Sequence, residues 1–539
     1  MPAPYMQQQV TEVPIQIVGG NQFGRYTKIN DSQTWNMIIS DGWLVPYSGY
    51  KNLQTLSPTQ QGRGIHASNV GDFLIAVLGD QVYRLSKTLN PTFIGNTATA
   101  SGDVYIAENN GKQIAITDGV YIYIYNYGTV DVDHPEFTSS EPGGKVLFKD
   151  TFPDSSPGYI SFQNGRFLLA LIGTQTWILS DFNNGLVWPN DAQHVGEYQI
   201  KPDFVQACVP MPGGGNNLFV FGKSAVQLFQ DVGNALFPYQ VQSTFNVDYG
   251  CVNASTIAFL NNYIVWIAVN EQSGPVLMVA YGNKAEAIST DGIDFKLGNL
   301  SNPENCTGFL YQQDGHLLYQ FTFITDNISY VYDFSSKMFF SVSDENLNYH
   351  IAREIVYFNN TYFFVSLNGG NIYGFDTIYE NAHYSDTDIK QLPRIRITAP
   401  LRLPSQRNFI ARSLGFIVEN GQPNQITTAL SRPERTGDEI ATEDGYSIST
   451  EDGYSLATEY DATPAVTYEL ASEVVDLSMS RDGGVTFGSS VRIPMNKTGK
   501  RKSRFIFQRL GIVNDVTFQI RFSGFGRFLA SDGVVEIYQ

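Results

Sequence analysis

Between about Asn69 and Asp376 the chain repeats one arrangement of polar and apolar positions seven times. A turn rich in Asn, Asp and Gly leads into an apolar run, and a second turn leads into another. The pairs follow Gly71-Asp72 (FLIAVL, QVYRLS), Asn110-Gly111 (QIAIT, VYIYIYN), Asn164-Gly165 (FLLALIG, QTWILS) and Asn216-Asn217 (LFVFG, AVQLFQ). They continue after Asn261-Asn262 (YIVWIAV, VLMVAYG), Asp314-Gly315 (HLLYQFTF, ISYVYD) and Asn359-Asn360 (TYFFVSL, NIYGFD). Runs this short, rich in β-branched and aromatic residues and bounded by turn formers, read as strands. Their spacing, roughly 40 to 55 residues, is that of kelch- and WD40-like blades. A blade has about four strands, so the two visible runs are expected to be its central, best-buried pair. The pattern predicts an all-β chain with a β-propeller of about seven blades over residues 51–376.

Beyond the propeller the register changes. Residues 377–390 carry Asp, Tyr and Asn without alternation and are expected to form a linker. In Leu392–Leu403, Arg394, Arg396 and Thr398 alternate with Ile395, Ile397 and Ala399, a strand with one polar face. With Leu414–Gly421 and residues 465–539 this predicts a C-terminal β-sandwich of some seven strands over 391–539. Residues 1–50 read as an N-terminal arm and its strands, one of them expected at Val13–Val18.

Three features of the predicted sandwich carry candidate chemistry. Leu477 and Met479 alternate into Asp482-Gly483-Gly484, a tight-turn signal, and a second strand is expected to leave through Val485 and Phe487. Ser480, Asp482, Gly484, Thr486 and Phe487 fit the Asp-box Ser-x-Asp-x-Gly-x-Thr-Trp, with Phe in place of Trp. In that motif the carboxylate caps backbone N–H groups of the turn and the aromatic packs beneath it, which is a structural role. Thr442–Ser449 (TEDGYSIS) is followed directly by Thr450–Ala457 (TEDGYSLA), a repeat of period eight read as an insertion over 439–461. It is a surface hairpin, a contact finger presenting Tyr446 and Tyr454 to another protein, or a calcium site of Glu443, Asp444, Glu451 and Asp452. The twelve-residue spacing of an EF-hand loop is missing. Finally, Lys497, Lys500, Arg501, Lys502 and Arg504 make a dense basic run, either a solvated turn or a contact surface. A protein contact is favoured over DNA phosphate, because basic groups on an acidic molecule find complementary protein surfaces.

Composition narrows the classes. The formal net charge of −18 argues against a general nucleic-acid binder, whose phosphate contacts need Lys and Arg. Cys208, Cys251 and Cys306 lie far apart, an odd set that suits neither a disulfide framework nor a zinc site. The start of the chain lacks the pattern of a secretory signal, no run approaches the ~20 apolar residues of a membrane span, and no membrane contact is expected. His66, His134, His194, His316, His350 and His383 form no close pair, Asp131-Val-Asp-His134 reads as a solvated loop, and Gly213-Gly-Gly215 has no Lys-Ser after it. No catalytic, cofactor or metal residue is assigned, and no enzyme activity is expected. A sialidase-like glycosidase or a carbohydrate-binding receptor protein remains the alternative, because propellers and Asp-boxes occur together in sialidases. Such enzymes repeat the box on several blades around an arginine cluster and a Tyr/Glu pair, whereas here one box lies outside the propeller and arginines are sparse in the blades.

The C-terminal order is an Asp-box hairpin, a basic turn, an aromatic strand ending in Arg509-Leu-Gly511, the alternating strand Asn514–Phe522 and a final strand Gly533–Gln539. It resembles the C-terminal module of tail-hub proteins of short-tailed bacteriophages, also called packaged-DNA stabilisation proteins. Further similarities run in the same order: the Asn36-Met37 pair before Gly49-Tyr50, Phe219–Phe229, Phe245–Gly250 before Cys251, Tyr330–Asp333 and Leu392–Leu403. The resemblance fails mainly at residues 434–462. It implies a structural virion protein, a homo-oligomeric ring of six subunits in the tail, assembled in the host cytoplasm. It further implies partners: a head-to-tail adaptor ring, a tail needle or tip protein, and tailspikes or fibres. DNA then passes through the channel without specific binding.

Overall fold

The computed structural model describes residues 10–25, 31–128, 151–152, 155–211, 213, 215–282, 284–420, 474–495, 502–524 and 527–538. The Tyr446 and Tyr454 repeat, the Asp131–His134 loop, and Lys497, Lys500 and Arg501 lie outside them.

Among the described residues, seven antiparallel sheets succeed one another along the chain. Their first strands are Gly62–Ala67, Tyr105–Glu108, Ser156–Gln163, Val205–Pro210, Ala258–Leu260, Cys306–Gln313 and Ala352–Phe358. The paired apolar runs are the second and third strands: Phe73–Leu78 and Gln81–Ser86 in the first sheet, Thr361–Ser366 and Gly370–Asp376 in the last. Sheets covered on both faces need unbroken apolar runs, and Phe73–Leu78 is buried at every position. The turns explain the Asn, Asp and Gly. Asn164-Gly165, Asp314-Gly315 and Asn359-Asn360 all have positive φ at both central positions, the tight hairpin geometry other residues resist. The last sheet borrows its fourth strand from the other end of the propeller: Gly49–Ser57 pairs antiparallel with Gly370–Asp376.

The sandwich stacks two sheets over a core that includes Phe416, Val475, Leu477, Phe505, Phe507 and Phe522. One layer orders Met37–Ser40, Trp43–Pro46, Phe528–Tyr538, Phe409–Asn420 and Lys502–Val513. The other holds Arg394–Ile397, Asp515–Ser523, Val474–Ser480 and Val491–Pro494. The arm contributes a strand at Val10–Ile15, paired along its length with Phe528–Tyr538. It stops short of the expected Val18 because the N–H groups of Ile17 and Val18 turn to the Asp532 carboxylate at 2.9 and 2.8 Å. Gln33–Trp35 then joins the two domains. It pairs parallel with Met338–Ser341 of the sixth sheet and antiparallel with Arg394–Ile397, making one ten-stranded sheet from propeller to sandwich. The stretch 377–390 holds two short strands: Ala382–His383, pairing parallel with Tyr50 and Lys51, and Ile389–Lys390. Two-residue strands carry no alternation to read.

Candidate functional site

The turn at 480–486 is built around one carboxylate. Asp482 Oδ1 accepts N–H groups from Val485 at 3.1 Å and Thr486 at 3.0 Å, while Ser480 Oγ donates to it at 2.5 Å. Thr486 Oγ1 donates to Oδ2 at 2.6 Å. Ser480 Oγ in turn accepts the N–H of Gly484 at 2.8 Å, and Gly483 and Gly484 both have positive φ. These bonds, led by those from the Ser480 and Thr486 hydroxyls, hold the exposed Asp482 carboxyl well below the usual carboxylate range. Phe487 is half-buried. The returning strand starts at Val491, not at Val485 as expected: it pairs Leu477 with Val491 and Val474 with Pro494. The reason is in the same bonds, since N–H groups drawn to Asp482 are unavailable to a strand ladder.

Lys502 and Arg504 belong to the other layer. In Lys502–Val513 alternate residues Ser503, Phe505 and Phe507 enter the core, and Lys502, Arg504 and Ile506 face out. Lys502 Nζ lies 3.4 Å from Glu419 and 5.9 Å from the ring centroid of Trp43. Arg504 stands opposite Ile417, and its guanidinium lies at ordinary contact distance from Gly415. Arg509 and Gly511 have positive φ where this strand meets an irregularity between Ala411 and Ser413. The bend opens a groove of about 470 Å³ lined by Arg412, Arg504, Arg509 and Glu536, with Arg412 and Glu536 3.5 Å apart.

The second place of interest lies in the propeller, which sequence reasoning left without a site. A cavity of about 530 Å³ takes lining residues from all seven sheets, among them Ile65, Tyr105, Ser161, Pro210, Phe259, Phe309 and Glu354 from the first strands. In four of those strands the pairing with the second strand slips at an early position: between Gly62 and Gly64, Pro157 and Ile160, Val205 and Ala207, and Ala352 and Glu354. Such bulges re-aim side chains, and three of the slipped residues, Arg63, Tyr159 and Arg353, line the cavity. Arg353 Nη2 donates to Asp103 at 2.7 Å, and Arg63 donates to Gly79 O at 2.9 Å and Gly102 O at 3.0 Å. Glu354 accepts the Ile65 N–H at 2.9 Å, yet burial pushes its carboxyl up to about 7. Glu108 lines the same cavity; burial works against ionising it, but hydrogen bonds from His66, Ser68, Tyr127 and the Asn69 N–H outweigh that and lower its carboxyl to about 2. The available signal was glycine inside a strand, Gly62-Arg-Gly64 and Gly158-Tyr159, which marks a bulge.

His194 pairs with Asp191 at 2.6 Å and His316 with Asp333 at 3.1 Å, while the buried His350 accepts the Ala352 N–H at 3.3 Å. Among the described residues no group of three or more His, Cys, Asp and Glu side chains is placed to hold a metal ion. Cys208, Cys251 and Cys306 are buried free thiols, and burial pushes Cys251 up to about 12. No helix among the described residues is long and apolar enough to cross a membrane.

Fold and cavity together define a β-propeller joined to a β-sandwich through a shared sheet. The chain belongs to the bacteriophage P22 Gp10 family: the family's β-propeller model matches residues 24–379, and its β-sandwich model matches residues 450–537. It is thus a structural protein of a phage tail, a virion component that assembles with other virion proteins. The sandwich match begins at the second unit of the eight-residue repeat. Comparison with curated proteins finds no match. Among solved structures, a streptogramin B lyase is 13% identical, with 62% of this chain and 99% of that chain covered and a TM-score of 0.40. A virginiamycin B lyase from Staphylococcus aureus is 10% identical, covering 68% and 99% at a TM-score of 0.37. The Cps50 (Swd1) β-propeller domain of Myceliophteria thermophila is 9% identical, covering 61% and 99% at a TM-score of 0.40. Nothing about the chemistry of this chain follows from these likenesses.

Proposed function

We propose that the chain is a tail hub: six copies form a ring between the head-to-tail adaptors and the tail needle or tip, with tailspikes or fibres attached at its sides. The observation that carries this reading is the family match, which spans propeller and sandwich in order. Each of the seven sheets is read as one blade. The shared ten-stranded sheet supports a mechanical role, because a load on the sandwich passes to the sixth blade through backbone hydrogen bonds.

The DNA path follows from size. A cavity of about 530 Å³, filled around by side chains of all seven sheets, cannot admit a duplex whose major groove alone is about 12 Å wide. The DNA channel is therefore the space enclosed by the ring of subunits, and the propeller axis is a separate feature. Domain roles follow the same division, with residues 51–376 as propeller platform and 391–539 as sandwich. The groove beside Arg504 and the Tyr446 and Tyr454 repeat are the surfaces proposed for neighbouring subunits or tail proteins. Imaging the purified protein and the virion tests this reading. A sixfold ring below the portal is expected; a monomer at the tip of a fibre would replace the hub with the receptor reading.

A further inference from the structure

The sandwich layer that carries Lys502–Val513 has an outer face that its own fold does not use. An antiparallel sheet packed on one side normally turns polar residues to the other. Here two apolar rows cross that side, because cross-strand partners share a face. Ile506, Gly415 and Val534 make one row, and Ile512, Ile410 and Tyr538 the other. Ile512 is 64% exposed, and Ile506 and Val534 are exposed with it, so nothing among the described residues covers them. The groove between the rows is the one lined by Arg412, Arg504, Arg509 and Glu536. Arg412 and Lys502 have acidic neighbours, whereas Arg504 and Arg509 form no ion pair among the described residues. The three long strands run for eleven or twelve residues. With the arm strand beside them the face measures roughly 40 by 20 Å, close to the ~800 Å² per partner of a standard interface.

A surface of opposite charge stands across the propeller. Seven of the twenty-one exposed large apolar side chains among the described residues fall between Ile172 and Val241, in the third and fourth sheets and their loops. Leu236, 73% exposed, and Phe182, 61% exposed, protrude furthest. Their loops sit side by side, since the Phe182 ring lies against Gly165 while Asn164 Nδ2 donates to Asp231 Oδ2 at 2.6 Å. The same stretch holds Asp181, Asp191, Glu197, Asp203 and Asp231 against two lysines, Lys201 and Lys223. Both lysines already face acids outside it. The strand Lys502–Val513, by contrast, holds three basic residues and no acid. The sandwich is joined to the sixth sheet, so the third and fourth stand three and two places away in the circle of seven, on the far side. Two unlike patches at opposite ends of one chain suit a head-to-tail contact, the kind that closes into a ring. A like-with-like contact would bring the same charges together and is disfavoured.

We propose that the occupant of the sandwich face is a second copy of this chain, which seats its 181–187 and 232–238 loops on the groove. Phe182 and Leu236 then meet Ile506 and Ile512, and Asp181 and Asp231 face Arg504 and Arg509. The inference rests on the ring reading above and names the contact that builds the ring. Two variants of the full chain test it: Arg504→Glu with Arg509→Glu on the face, and Asp181→Lys with Leu236→Lys on the loops. All four side chains are exposed, so melting is expected to stay near the parent's. Asp231 is left in place because it also accepts the Gly233 N–H at 2.9 Å. By sedimentation and mass photometry, each variant alone is expected to assemble about tenfold less readily or worse, since like charges then oppose one another. An equimolar mixture is expected to assemble as the parent does. Alternating copies put Glu opposite Lys at one contact and Arg opposite Asp at the next, and a ring of six closes on that alternation. Leu236→Ala, which removes no hydrogen bond, stands in for the loop variant if that one melts early, with a loss in the same direction. The proposal fails if a folded variant assembles as the parent does, if the mixture stays apart, or if the parent shows no assembly at about 100 µM. The first of these gives the face to another tail protein and leaves the hub reading intact, because that reading stands or falls on the ring imaged in the virion.

Discussion

Arg396 donates from Nη1 to the hydroxyl of Thr34 at 2.9 Å, across 362 residues of chain. The same guanidinium reaches Gly20 O at 3.1 Å and Gln16 O at 3.3 Å, so one buried side chain holds the arm against the strand that joins the two domains. No carboxylate pairs with it among the described residues, and burial lowers its pKa to about 10.

A buried charge satisfied by carbonyls is costly to disturb, because its removal strands the acceptors it served. Each orphaned buried acceptor costs about 1–3 kcal/mol, so Arg396→Met is expected to destabilise the chain by about 3 kcal/mol or more. Gly19→Ala should act at the same point, since a Cβ there would lie 2.6 Å from Arg396 Nη2. Chemical denaturation measures the loss, and hydrogen exchange should show it centred on residues 16–35. Unchanged protection there would mean that Arg396 does not hold the arm.

Asp482 gives a prediction with a sign. Its carboxyl titrates lower in the folded chain than in the unfolded one, because Ser480, Thr486 and the turn N–H groups bond the ionised form. The stability this contributes is present above the ordinary carboxylate range near pH ~4 and is lost as pH falls through the folded value. Asp482→Ala should therefore lower the melting temperature at pH 6 and narrow its gap to the parent as pH falls toward 2. A gap that stays constant with pH would assign the effect to the turn backbone instead.

Glu354 runs the other way. Burial raises its folded pKa from 4.5 to about 7, so the folded chain favours the protonated acid. The contribution is present below the unfolded value and is lost as pH rises through about 7. Glu354→Gln, which mimics the protonated form, should flatten the fall in melting temperature between pH 5 and 8. An unaltered pH profile would mean that this carboxyl does not titrate in that window.

The different reach of these interactions explains what could be read from the sequence. The hairpin turns are local: Asn164-Gly165 and Asp314-Gly315 carry the conformation they need, and the apolar runs beside them carry their own burial. The propeller and sandwich were therefore legible as patterns of punctuation and period. The cavity was not, because Asp103 and Arg353 meet across 250 residues and only closure of the ring brings them together. The arginines looked sparse along the chain, yet bulges at Arg63 and Arg353 aim two of them at one cavity. The returning strand beyond the Asp-box was misplaced for a local reason, since a carboxylate that takes two N–H groups delays the ladder to Val491.

The last prediction concerns DNA. A ring of six such chains carries six times −18 formal charges. Each Lys or Arg contact to phosphate adds affinity and therefore drag on a duplex that has to slide. Of the basic run, Lys502 already lies 3.4 Å from Glu419, while Arg504 faces outward on the sheet. In the proposed hub an acidic lumen would let the duplex keep its counterions, and retention would then come from partner proteins that close the opening. The isolated protein is expected to bind duplex DNA no more tightly than ~10⁻⁵ M near physiological salt, within the non-specific range. A gel-shift titration across salt concentrations measures this directly. Submicromolar binding that weakens in Lys500→Glu and Arg501→Glu would mean that six basic runs face inward as a collar and that the ring itself grips the nucleic acid.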